Sequence, residues 1–313
     1  MADERLFCFG LGYSARALAA RLKRQGWTIA GTARTIEGCA ELIAMGYEAH
    51  LFDGTKPMDD RGLAALLAAG FVLSSVPPFN DDLDDGLEAG GNDPVLRHHG
   101  AHLADVGSRP SGVVRWLGYL STTGVYGDHQ GGWVDETTAP TPATDRGGRR
   151  VLAEQAWFGL RGADGQGLPV HVFRLAGIYG PGRSPFDALR AGRAQRIAKP
   201  GQVFSRIHVE DIAQVLMASM ARPRAGAVYN VCDDLPAASS DVTAFAADLL
   251  GLGPIPEIPF EQAQLSPMAR SFYADNKRVA NRLIHDELGV DLAYPDYRAG
   301  LCAILDAEGA RAG

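Results

Sequence analysis

The chain has 313 residues, 46% of them apolar, and a formal charge of -7. That length suits one large or two modest domains with a full core. The acidic balance argues against general nucleic-acid binding, and no apolar run reaches the roughly 18 residues that a membrane helix needs. Cys8, Cys39, Cys232 and Cys302 are scattered without a C-x-x-C pair, which suggests neither a zinc site nor a disulfide framework and fits a reducing cytoplasm. The charged start, Met1-Ala2-Asp3-Glu4-Arg5, leads straight into a strand, so a soluble cytoplasmic protein without signal peptide or membrane span is expected.

Leu6-Phe7-Cys8-Phe9 is a short apolar run that ends in Gly10-Leu11-Gly12-Tyr13-Ser14-Ala15, and Ala17, Leu18, Ala19 and Leu22 follow at helical spacing. This is the pattern of a strand, a tight turn and a helix built to hold a dinucleotide. Gly10 permits the turn, Gly12 lets a pyrophosphate approach the backbone, and small Ala15 lets the helix pack on the strand. The start of the helix then offers N–H groups and partial positive charge to the phosphates.

A second strand is expected over Trp27 to Ala33, followed by Arg34-Thr35 with no acid before Glu37. An NAD enzyme usually places a carboxylate there for the ribose, whereas Arg34 offers a fork of donors to the 2′-phosphate of NADP, with Arg16 able to assist. NADP is therefore expected over NAD, which stays open. A helix over Ile36 to Met45 leads to a third strand, Tyr47 to Phe52, and then to Asp53, which would face the adenine edge or cap a turn. A helix around Leu63 to Leu67 precedes a fourth strand, Phe71 to Val76, whose last residues, Ser74, Ser75 and Val76, should run beside the cofactor. Asn80 to Gly91, with Asp81, Asp82, Asp84 and Asp85, is expected as an exposed acidic loop. In the next helix His98 and His102 share a face, but HHxxH lacks a nearby ligand-spaced acid. They are expected to be surface residues, and no metal is expected.

A fifth strand is expected from Val113 to Ser121. Strands and helices alternating at this spacing predict an α/β protein, with a Rossmann-type doubly wound parallel sheet whose ligands sit at the carboxyl ends of its strands. Past residue 232, Pro254 to Pro259 is expected as a stiff extended connector, with helices over Ser239 to Leu250 and Asn276 to Leu288 in a small C-terminal α/β substrate lobe. The division expected is 1–178 plus 203–232 for the dinucleotide-binding domain and 179–202 plus 233–313 for the lobe.

Ser121-Thr122-Thr123-Gly124-Val125-Tyr126-Gly127-Asp128 resembles the serine/threonine segment of the extended short-chain dehydrogenases/reductases, the NAD-dependent epimerase/dehydratase group. The stretches Arg174 to Arg183, Arg206 to Ala213 and Val228 to Val231 resemble the same family, and the tail from Asn276 to Leu301 resembles its atypical YeeZ-like branch. The loop Gly131 to Pro142 is similar to the family's connection into the active-site helix. The resemblance implies a hydroxyl on the substrate oxygen and a Tyr-x-x-x-Lys pair on the next helix. Registered through Val125-Tyr126-Gly127 and Glu154, the hydroxyl falls on Thr122 beside Ser121, the tyrosine position on Arg146 and the lysine position on Arg150.

That departure carries chemical weight. A tyrosine phenol titrates near about 10 and serves as a base only when neighbouring cations favour its anion. Arginine stays protonated to about pH 12, so Arg146 is no base; it and Arg150 suit a substrate carboxylate or phosphate, or the cofactor ribose. The literal Tyr273-x-x-x-Lys277 lies far downstream and is taken as coincidence. Tyr126, Tyr179 and His208 remain as groups near strand ends able to move a proton, each with an ordinary structural use. Arg146, Arg183 and Arg206 would receive an anionic small-molecule substrate. The function expected is an NADP-dependent oxidoreductase acting on a small carbonyl or carbinol. The rivals are a non-catalytic NADP-binding sensor or scaffold and a nucleotide-sugar epimerase or dehydratase. Pairing of helices four and five into a homodimer is what the resemblance offers for quaternary structure.

Overall fold

The computed structural model describes residues 4–79, 92–107, 114–162 and 165–312. The acidic segment 80–91, the start of the chain before Glu4 and the expected strand residue Val113 lie outside them. The chain divides into two compact units: Met1–Thr122 with Asp145–Arg174 and Ile212–Tyr229, and Thr123–Thr144 with Leu175–Asp211 and Asn230–Gly313. These boundaries differ from those read in the sequence, since 123–144, 175–178, 203–211 and 230–232 fall in the second unit.

The first unit alternates strand and helix: β1 (Arg5–Phe9), α1 (Tyr13–Arg24), β2 (Thr28–Ala33), α2 (Ile36–Ala44), β3 (Glu48–Leu51), α3 (Asp60–Leu67), β4 (Phe71–Ser74), α4 (Pro94–Gly107), β5 (Trp116–Thr122) and α5 (Asp145–Gly159). Strands Val170–Leu175 and Ala227–Val231 complete a seven-stranded sheet. From the far edge its order is Ala227–Val231, Val170–Leu175, β5, β4, β1, β2, β3. The pairs β1 with β2, β1 with β4, β2 with β3 and β4 with β5 are all parallel. The order reverses at β1, where the chain first runs outward to β3 and then returns to β4, so the crevice above β1 and β4 is the topological switch point of the sheet.

A parallel strand covered on both faces must be apolar throughout, and Leu6 to Phe9 are all fully buried. Phe7 and Phe9 meet edge to face at 5.0 Å, and Trp157 of α5 stacks on Tyr119 of β5 at 5.6 Å. Each such side chain contributes about 1.5–3 kcal/mol by leaving water. In α1, Ala15, Leu18, Ala19 and Leu22 form the buried stripe, and Arg21, Lys23 and Arg24 close its last turn, where cations complement the helix dipole. Thr35 and Asp59 cap α2 and α3 by accepting from the amides of Gly38 and Gly62.

The second unit has its own core, built on Tyr179, Phe186, Leu189, Val242, Ala246, Tyr297, Leu301 and Ile304. Three short parallel ladders organise it: Arg206–His208 with Gly177–Tyr179, Glu257–Pro259 with Arg196–Ala198, and Arg278–Val279 with Trp133–Val134. Two expectations are corrected here. The Pro254 to Pro259 stretch is not only a connector, because Glu257–Pro259 pairs as a strand. The helix expected over Asn276 to Leu288 shrinks to Arg282–Asp286, because Arg278–Val279 is drawn into a ladder by Trp133–Val134. Among the described residues no helix is long and apolar enough to cross a membrane.

Candidate functional site

At the end of β1 the chain turns at Gly10, whose φ of 75° lies in the left-handed region. Two side chains pin this glycine. Its amide donates to Thr32 Oγ1 at 2.8 Å, and Ser75 Oγ donates to its carbonyl oxygen at 2.5 Å. A Cβ at Gly10 would meet Ser75 Oγ at 2.9 Å and Val76 Cγ2 at 3.2 Å, so the turn needs glycine to sit against the end of β4. Leu11 N–H donates to Thr32 O and Gly12 N–H to Gly10 O, which closes the turn on itself. Thr32 was not singled out in the sequence; nothing local distinguishes it, because its role depends on the β1–β2 register.

Gly12 is different. The nearest protein atom to a Cβ built there is Gly10 O at 3.9 Å, so its missing side chain leaves space that the protein itself does not fill. Gly12 is also the N-cap of α1, with no side-chain cap and no acid in the first turn. The helix therefore presents its positive end, at Tyr13, Ser14 and Ala15, without a competing carboxylate. These residues fit the diphosphate of a dinucleotide.

Arg34 is exposed just past β2, and Thr35 spends its hydroxyl on the α2 cap. Arg16 is anchored through Nε to Leu11 O at 3.1 Å. Asp53 accepts from both the amide and the hydroxyl of Thr55, at 2.8 and 2.7 Å, and these bonds hold its carboxyl below the usual carboxylate range. Asp53 thus caps a turn. Ser74 is fully buried under β4's end. His98 Nε2 lies 2.9 Å from Gly54 O. His98 and His102 are half-buried, not surface residues, and their neighbour His99 is buried against Phe9 and Phe52, where its Nε2 accepts from Met58 N–H. Burial first, then His102 and His98, push His99 down to about 4, which keeps the ring neutral and able to accept. Among the described residues no cluster of His, Cys, Asp and Glu is placed to hold a metal ion.

Beneath the exit of β5 lies a buried polar network. Ser121 Oγ donates to Glu154 Oε1 at 2.5 Å, and Arg174 donates to both Glu154 oxygens, the shortest at 2.7 Å. Ser121 is therefore turned inward. Arg150 NH1 donates to Leu120 O at 2.8 Å and to Tyr119 Oη at 3.3 Å. Thr122 is the last residue of β5, and Arg146 is exposed in the first turn of α5.

The remaining proton-transfer candidates lie in the second unit. Tyr126 is fully buried and donates to Asn230 Oδ1 at 2.8 Å. Tyr179 donates to Asp296 O, and burial, with Asp233 and Asp211 nearby, pushes its phenol up, away from any role as a base near neutrality. His208 Nδ1 accepts from Glu210 N–H, and its ring lies between Tyr179 and Tyr294. Arg183 is exposed in a turn that it closes with Gly180. Arg206 donates to Phe204 O and Ala237 O at 2.8 and 2.9 Å. Tyr273 is buried against Phe204 and Phe260, while Lys277 donates to Gly127 O.

No family model matches the chain. A functionally unknown conserved protein from Silicibacter pomeroyi DSS is 52% identical, with a TM-score of 0.84 over 97% of this chain and 99% of that one. Protein YeeZ of Escherichia coli K12 is 29% identical over 296 residues, 94% of this chain and 97% of YeeZ. Human epimerase family protein SDR39U1, solved with NADPH, shares the fold at 17% identity, with a TM-score of 0.68 over 96% of this chain and 99% of that one. The fold is that of the NAD-dependent epimerase/dehydratase-type proteins. In this chain Arg146 and Arg150 stand at the positions where the sequence register expects tyrosine and lysine, the second of them tied to the backbone of β5.

Proposed function

We propose that the protein is an NADP-dependent oxidoreductase acting on a small carbonyl or carbinol substrate in the cytoplasm. The observation that carries the coenzyme is the unfilled space beside Gly12 at the uncapped start of α1; the choice of NADP rests on Arg34 following β2 where an acid would select NAD. Bound there, the nicotinamide would supply or accept the hydride. Tyr13, Ser14 and Ala15 would receive the diphosphate at the helix start, and Thr122 at the end of β5 would donate to the substrate oxygen. Arg146, exposed in the first turn of α5, would hold an anionic substrate group. Free cysteines at all four positions agree with a reducing compartment.

A second reading, a non-catalytic NADP sensor, is favoured by one specific observation: Arg150 spends its guanidinium on Leu120 O and Tyr119 instead of standing as a mobile partner for a proton donor. Calorimetry with NADPH, NADP⁺ and NADH, followed by turnover assays on a carbonyl panel with Thr122→Ala as control, separates the two. Binding with turnover that falls in Thr122→Ala supports the enzyme. Binding without turnover, and with different affinities for the two redox forms, supports the sensor. Absence of binding to any of the three removes both.

A further inference from the structure

The outer edge of the sheet is unfinished at β3. This strand ends the seven-strand order and, among the described residues, has one neighbour, β2. Phe52 N–H donates inward to Ala33 O, so by the alternation of a strand Glu48 and His50 also turn their backbone groups toward β2, while Ala49 and Leu51 turn theirs outward. Beyond that edge runs a groove between α2 and α3, walled by Ile36, Cys39, Ile43, Ala64 and Ala68. Of the ten large apolar side chains exposed among the described residues, four lie in this one stretch: Ile36 at 73%, Ile43 at 59%, Met45 at 47% and Leu51 at 41%. Edge strands are usually blunted by shortness, charge, proline or a bulge. Glu-Ala-His-Leu is short and carries Glu48, but has no lysine or proline.

We infer that this edge receives β3 of a second copy of the chain, antiparallel and centred on Ala49. The register follows from the strand itself. Two outward-facing residues must oppose each other to exchange hydrogen bonds, and with Ala49 on the two-fold axis each Ala49 donates its amide to the other's carbonyl oxygen. That choice sets Glu48 of one copy opposite His50 of the other, twice. The shift that pairs Ala49 with Leu51 instead sets His50 against His50. The first register gives each Glu48 carboxylate a ring N–H of the opposite His50, whereas the second sets ring against ring with no carboxylate between, so hydrogen-bond complementarity selects the first. Glu48 already carries Arg5 at 2.8 Å and His50 at 3.2 Å within one chain, so the dyad joins two such groups into one network. Ile36, Ile43 and Leu51 of each copy supply the apolar flanks, and the two sheets become continuous. This surface is separate from the coenzyme crevice and does not depend on what binds there.

The test is sedimentation velocity across a wide concentration range, with wild type, Ala49→Pro and Ile43→Glu. Proline at 49 deletes only the outward amide of an edge strand, a position where proline is tolerated, and far-UV dichroism reports that the fold is kept. The expected result is a species of twice the chain mass for wild type, and a dimer dissociation constant raised about tenfold or more in each variant. If Ala49→Pro loses its fold, Ile43→Glu alone decides. A wild-type monomer throughout, or a dimer that persists unchanged in Ile43→Glu, overturns the inference.

Discussion

The guanidinium of Arg150 on α5 donates to the carbonyl oxygen of Leu120 on β5 at 2.8 Å. A residue in the register of a catalytic lysine is thus used to fasten helix to strand. Arg150→Met keeps the length of the side chain and removes the donors, and is expected to cost about 1–3 kcal/mol in urea unfolding. A change within about 0.5 kcal/mol would place it among ordinary surface substitutions.

The two glycines of the turn should behave in opposite ways. Gly10→Ala forces a Cβ against Ser75 and into a left-handed φ, which is expected to cost about 1–2 kcal/mol before any steric adjustment. Gly12→Ala has room within the protein, so its melting temperature should stay near wild type while NADPH binding weakens. Calorimetry and thermal melting on the same samples distinguish the two effects.

Arg34→Ala is expected to weaken NADPH by about tenfold, roughly 1.4 kcal/mol, with NADH unchanged. Equal losses for both coenzymes would show that the 2′-phosphate is held elsewhere.

Glu154 and Arg174 are paired at 2.7 Å, with side chains about 5% exposed, and Ser121 adds a further bond to the carboxylate. Glu154→Gln leaves Arg174 without its counter-charge in the interior. The expected loss is about 3–5 kcal/mol in chemical denaturation.

Asp233 offers a pH signature. Burial raises its carboxyl from 3.8 to about 8, opposed in part by Arg206. The folded protein therefore binds a proton there that the unfolded chain has already released, between the two values. In that window the unfolded state holds fewer protons, so stability falls as pH rises from about 4 to about 8 and levels off on either side. Asp233→Asn should flatten this slope and, near pH 8, be more stable than wild type by at least about 1 kcal/mol. Unfolding curves taken across the range would show it; an unchanged slope in the variant would assign the pH dependence to another group.

How far the sequence reveals this molecule depends on how local each signal is. The strand, turn and helix from Leu6 to Leu22 are written in consecutive residues: an apolar run, two glycines, then a stripe at helical spacing. Arg278–Val279 is the contrary case. Its local pattern reads as the start of a helix, but Trp133–Val134, well over a hundred positions earlier, pairs with it as a strand. Ile258, set between prolines, is likewise claimed by Ile197. Within the site, Gly10 and Gly12 are legible because turn chemistry demands them, whereas Thr32 and the inward turn of Ser121 come from registers between strands and helices that no short window contains. Asp53 shows the middle ground, where two local meanings were open and the Thr55 bonds, both on Oδ1, account for the turn.

The four thiols are unequal. Cys8 and Cys232 are fully buried, and burial pushes both above the ordinary thiol range, while Cys39 and Cys302 are half-exposed. Cys39 stands in the wall of the groove beside β3. With Cys302→Ser as background, a maleimide fluorophore would attach at that one place without adding a residue, because reactivity follows access and thiolate fraction. The native chain thus carries its own attachment point for an optical reporter, one whose emission would register anything that comes to lie along the sheet's outer rim.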